Sequence, residues 1–167
     1  LEEYKQARYY LRKATNIDPN FGEAFHKIGD NYRREERWDK SESFFERAVK
    51  LGPKETEYLT SLADAYFNLG KVSDALELYH KVVDMDPRDR DHWINLAAAL
   101  FDAEAFEESL SVLDKSEKLF ADNAYIYYIK AAFQYHLGHR NEAMVNLQKG
   151  LLKNYDDHNL LFSISPE

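Results

Sequence analysis

The chain has 167 residues, 44% of them hydrophobic, enough for a substantial core, yet no apolar stretch approaches the roughly 20 residues that a membrane-spanning helix needs. Its formal net charge of −8 argues against nucleic acid or an anionic membrane surface as the partner, because phosphate binding needs clustered Lys and Arg. Cysteine is absent, which removes disulfide and thiol chemistry, and no signal peptide is visible; the compartment stays open, with a lean toward the cytoplasm.

Residues 1–21 read as one helix with Ala7, Leu11 and Ala14 on its apolar side, stopped at Pro19. The phrase that stops it, Ile17-Asp18-Pro19, returns as Leu51-Gly52-Pro53 and Met85-Asp86-Pro87, so the three prolines stand 34 residues apart. Ala14, Ala48 and Val82 lie five residues before each proline, and Leu11, Phe45 and Tyr79 lie eight before it. Each period holds two helices. In residues 56–89, Leu59, Leu62, Ala63, Tyr66 and Leu69 form one helical face and Gly70 ends it, since glycine takes a positive φ without a Cβ clash. Ser73 and Asp74 stand near the start of the second helix, which carries Ala75, Leu78, Tyr79, Val82 and Val83 inward.

The same pattern fits residues 22–55 closely. Residues 90–123 keep Trp93, Leu96, Ala97, Leu100 and Leu113 but have Ser109, Ser116 and Ala121 where Ala, Ala and Pro are usual. Asp122 and Asn123 are good turn and N-cap residues, so a break near Ala121 is expected without a proline. Residues 124–157 keep Tyr127, Ala131, Gly138, Ala143 and Leu147, while Lys130, Gln134 and Tyr155 depart from it. Residues 158–167, with Leu160, Leu161 and Phe162, read as the start of a further or capping helix.

A 34-residue period carrying Phe25, Ile28, Gly29, Tyr32, Ser41, Phe45, Ala48 and Pro53 in register resembles the tetratricopeptide repeat, W-x2-L-G-x2-Y…A-x3-F…P. The resemblance implies an all-α fold, a right-handed superhelical solenoid of antiparallel helix pairs. It implies a single array over residues 1–167: a half repeat at 1–21 and repeats at 22–55, 56–89, 90–123 and 124–157. Nine long helices are expected, and the array is expected to be a piece of a longer protein. Each pair leaves an apolar face that only its neighbour can cover. The stripe of the first helix, Tyr4, Ala7, Leu11 and Ala14, would be bare in an isolated fragment and is therefore expected to be covered, either by a neighbouring chain through self-association or by sequence upstream of Leu1.

No Gly-rich phosphate loop, G-x-S-x-G turn or H-E-x-x-H helix occurs, so no enzyme activity, cofactor or metal is expected. His136 and His139 lack further ligands at workable spacing. The pairs Glu35–Glu36 and Glu107–Glu108 are expected to be solvated at helix ends, where the helix dipole explains them better than acid–base chemistry does. Most aromatics have core positions, among them Trp38, Phe106 and Trp93.

In the resembled family the first helix of each repeat faces the ligand through positions 2, 5, 6, 9, 12 and 13. Carried onto this chain, the partner-binding groove comprises Asp30, Arg33, Asp64, Phe67, Asn68, Asp91, Asn95, Phe101, Tyr125, Tyr128 and Tyr135. Position 12 reads Arg33, Phe67, Phe101 and Tyr135, an aromatic at the same height in three successive repeats, suited to contact or else to packing between neighbouring helices. His26, Asp30, Ser61, Asp91 and Asn95 stand where a clamp for acidic tails would need Lys, Asn and Arg, so an acidic tail should be repelled. The expected function is a non-catalytic scaffold holding a protein or peptide, basic or aromatic-rich. The alternatives are a non-catalytic arm of a larger enzyme or secretion component, and a self-associating structural array.

Overall fold

Residues 2–153 are described by the computed structural model, and among them the chain forms nine helices and no strand. They are α1 (Glu2–Ile17), α2 (Gly22–Arg33), α3 (Trp38–Leu51), α4 (Thr56–Asn68), α5 (Val72–Met85), α6 (Arg90–Asp102), α7 (Phe106–Leu119), α8 (Ala124–His136) and α9 (Arg140–Lys153). The fold is an all-α helical solenoid. The expected helix in residues 158–167 and the departure at Tyr155 lie outside the described residues. The chain divides into two compact units, Leu1–Pro87 and Arg88–Glu167. Within the first, each of α1 to α4 packs on the helix that follows it; within the second, α6 to α8 do the same.

Helix breaks follow the local chemistry. Pro19, Pro53 and Pro87 each fall between two helices, where the ring removes a donor and disfavours helical geometry in the residue before it. The break at Ala121 holds without proline, because Asn123 caps α8 by accepting the N–H of Tyr125 at 3.1 Å. Asp89 caps α6 in the same way, accepting from the N–H of Asp91 at 2.8 Å.

The turn inside each repeat is a Schellman motif, repeated four times. The N–H groups of Arg37, Lys71, Ala105 and His139 reach back to the carbonyls of Tyr32, Tyr66, Leu100 and Gln134 at 2.8–3.0 Å. Just inside them, the N–H groups of Glu36, Gly70, Glu104 and Gly138 bond the carbonyls of Arg33, Phe67, Phe101 and Tyr135. That second residue must be left-handed. Gly70 and Gly138 supply it at φ 76° and 81°, and Glu36 and Glu104 supply it at 57° and 62°.

Small residues let the paired helices approach. A Cβ on Gly29 would stand 2.6 Å from the Phe45 ring, so glycine on α2 makes room for a large aromatic on α3. Ala63, Ala97 and Ala131 occupy the equivalent place in the other repeats and are buried. Ser41, Ser109 and Ser116 stand where the repeat usually has alanine, and all three are fully buried. Their hydroxyls donate to the carbonyls of Trp38, Ala97 and Leu113 at 3.0, 2.7 and 3.0 Å, which removes the cost of burying them.

Within each compact unit, polar junctions join the second helices α1, α3 and α7 to the repeat that follows. Arg8 of α1 is 7% exposed, bonds Glu35 at 3.0 Å and lies over the Tyr32 ring at 4.3 Å. Glu35 is thus not a solvated helix-end carboxylate: its side chain is 5% exposed, and the Arg8 guanidinium holds its carboxyl below the usual range. From α3, Glu42 pairs with Lys71 and Glu46 accepts from the Tyr66 hydroxyl at 3.1 Å. From α7, Asp114 and Glu117 both pair with Lys130, whose side chain is 11% exposed.

The stripe expected to be bare on α1 is half-buried at Tyr4, Ala7, Leu11 and Ala14, because α1 packs on α2. The aromatics it leaves in water are Tyr9 and Tyr10, 56% and 59% exposed and edge-on to each other.

Candidate partner-binding surfaces

In the first compact unit the positions expected to face a ligand lie on α2 and α4. Asp30 accepts from Arg33 Nε at 3.0 Å and from Arg34 Nε at 2.9 Å. Burial works to raise its pKa, but the two guanidiniums win and hold the carboxyl below the usual range. Asp64 is half-buried on α4 and accepts from the Tyr79 hydroxyl at 2.5 Å. Here burial wins and pushes the carboxyl above its ordinary value, against the Tyr79 bond and the charge of Arg33. Phe67 is half-buried, and Asn68 is exposed with its amide donating to the Asp64 carbonyl at 2.8 Å. The structure therefore gathers Asp30, Arg33 and Asp64 into one mixed-charge patch. Tyr79 was legible only as a core aromatic, yet a buried tyrosine hydroxyl needs an acceptor, and that need points to a nearby carboxylate.

In the second compact unit the corresponding helices are α6 and α8. Asp91 is exposed and pairs with Arg90 at 2.7 Å, and the Arg90 guanidinium lies 5.8 Å from the Tyr125 ring. Asn95 is half-buried. Phe101 stacks on Phe133 at 3.9 Å and meets Phe106 and His136 edge-on at 5.0 and 5.3 Å, so much of its ring serves packing. Tyr135 is 56% exposed. Tyr128 requires a correction. It is 1% exposed, and a Cβ on Gly150 would stand 2.4 Å from its ring, so this tyrosine fills the α8–α9 interface and is withheld from any ligand.

The fold defines a helical-repeat protein built from antiparallel helix pairs. The tetratricopeptide repeat family model matches residues 26–79 and 60–124, and the chain belongs to that family. Among solved structures it is similar to MamA, with TM-score 0.78 and 18% identity over 91% of this chain and 89% of that one. Residues 41 to the end of MamA from Desulfovibrio magneticus RS-1 give TM-score 0.79 and 15% identity, covering 93% and 88%. YrrB, described as a tetratricopeptide-repeat protein with an unusual peptide-binding site, gives TM-score 0.73 and 20% identity, covering 97% and 83%. No curated protein matches the chain in sequence.

Proposed function

We propose that the chain is a non-catalytic scaffold that holds an extended peptide or a helix of a partner protein against the first helices of its repeats, α2 and α4 in one compact unit and α6 and α8 in the other. Membership of the family supports protein binding in general, and the peptide-binding description of YrrB supports a peptide as the form of ligand. The observation that carries the reading is Asp64. Its carboxylate is kept half out of water at a ligand-facing position, where it is raised in energy rather than stabilised. A basic group on a partner would relieve that cost, and half-buried Phe67 on the same helix adds a ring against which such a segment can lie.

The test is capture of the partner from native extract by the whole protein, followed by affinity measurement with Phe67, Phe101 and Tyr135 replaced together by Ala. Loss of binding with an unchanged helical circular-dichroism signal is the expected result. Binding should also weaken with salt, since an exposed ion pair is screened over about 10 Å at 0.1 M. Undiminished affinity in the triple variant would refute the assignment. The exposed pair Tyr9 and Tyr10 favours one further reading, self-association through α1, which light scattering at several concentrations decides.

A further inference from the structure

We propose that His26 makes the contact between α2 and α4 a pH-sensitive joint, closed while the imidazole is neutral and loosened when it takes up a proton. His26 lies at position 5 of the first complete repeat, 5% exposed, the one buried histidine among the described residues. Three helices meet on its ring. Nε2 stands 2.8 Å from Ser61 Oγ on α4, the ring stacks on Tyr58 of the same helix at 4.8 Å, and it tilts against Phe45 of α3 at 5.4 Å. Nδ1 is 3.9 Å from Glu57 Oε1. The fold itself does not call for a titratable group here, because the other three repeats fill position 5 with Thr60, Ile94 and Tyr128.

With the neutral ring protonated on Nδ1, the side that faces Glu57, Nε2 accepts the Ser61 hydroxyl proton at 2.8 Å; Glu57, at 3.9 Å, acts on the ring as a nearby charge and not as a hydrogen-bond partner. A protonated ring must donate from both, so Ser61 has to turn its own proton away and find another acceptor. The groups facing the ring are Glu57 and the Tyr58 phenol from α4, and Lys27, Asp30 and Arg33 from α2; α3 brings only the uncharged Phe45 ring. Burial is the largest influence and pushes the imidazole below the ordinary histidine value of 6.5; Glu57 and Asp30 pull it back up, while Lys27 and Arg33 push it further down. The unfolded chain therefore binds this proton more readily than the folded one. Stability is intact above pH 6.5 and is lost as pH falls below it, until the folded state protonates too.

The whole protein, unliganded, is titrated by NMR at the His26 ring, and its unfolding equilibrium is measured from pH 7.5 to 5. The His26 resonance should titrate below 6.5, and Glu57→Gln should lower that midpoint further by removing the favourable charge. Below pH 6.5 the wild type should lose stability more steeply than His26→Thr, the difference in unfolding constant growing by at most about tenfold per pH unit, the limit for one proton. Amide exchange in α2 and α4, corrected for intrinsic rates, should rise on acidification ahead of α8 and α9. A midpoint at or above 6.5, or a pH dependence identical in His26→Thr, overturns the proposal. Should His26→Thr fail to fold, the ring titration and Glu57→Gln still decide. The joint lies on the face assigned above to a partner, but none of these readouts requires one.

Discussion

Glu36→Gly and Glu104→Gly should each stabilise the protein, although both remove a charged side chain and add the residue least suited to ordered structure. Both glutamates sit at the one left-handed position of a Schellman turn, at φ 57° and 62°, and both are exposed. Holding a Cβ residue there costs about 1–2 kcal/mol. Glycine returns part of that gain through its freer unfolded chain, about 0.4–1 kcal/mol. The net is about 0.5–1 kcal/mol per site, or about 2–4 °C for each kcal/mol in a chain of this size. The backbone bonds to Arg33 and Phe101 need only an N–H, so glycine keeps them. The sites belong to different compact units, and the double variant should show the sum of the two effects. Denaturant unfolding followed by circular dichroism measures this. The mirror experiment is Gly70→Ala and Gly138→Ala: nothing lies within 4 Å of an added Cβ at either site, so a loss of about 1 kcal/mol there would be purely conformational. If both glutamate-to-glycine changes are neutral or destabilising while both glycine-to-alanine changes are harmless, the left-handed turn is not what sets stability at these positions.

Gly29→Ala and Gly150→Ala should behave differently, costing about 1–3 kcal/mol each through steric overlap with Phe45 and Tyr128; a partial rescue by Phe45→Leu in the first case would confirm the cause. Asp64→Asn should raise stability at neutral pH, because a carboxyl whose folded pKa is raised destabilises the fold once pH exceeds its unfolded value, while the amide still accepts from Tyr79. The same change should weaken binding to a basic partner, so a variant that is stabler and binds undiminished would argue against Asp64 as a contact. Glu117 is the opposite case: burial works to raise it, but Lys130 and Lys149 hold it below the usual range. The stability it contributes is present above about pH 4.5 and lost as pH falls through its folded value, so Glu117→Gln should flatten acid unfolding there.

Most of the fold was legible because it rests on short-range rules. Proline breaks, the Asn123 cap and the Gly70 and Gly138 turns depend only on residues within a few positions of one another. Glu36 and Glu104 occupy the same turn without its signature residue, so their backbone was readable only by carrying the period across. Pairings between helices were less legible. Glu35 looked like half of a solvated acidic pair because Arg8 lies a whole helix away, and Lys130 looked like a lapse in the pattern until Asp114 and Glu117 were set beside it. Tyr128 was placed with the ligand by a rule of position; what decides its burial is the missing side chain of Gly150 on the facing helix.

The polar junctions bear on how such an array can change over time. A period of 34 residues invites loss or duplication of whole repeats, since cutting out residues 22–55 would leave the hydrophobic register untouched. It would also set Arg8 opposite Leu69, the residue that takes the place of Glu35, and strand a guanidinium in a site where it is now 7% exposed. At the α3 and α7 junctions the polarity is reversed, with acids on the leading helix and a base in the repeat that follows. The repeats share one shape but are not spare parts for one another, and the order in which they are strung is written in charge.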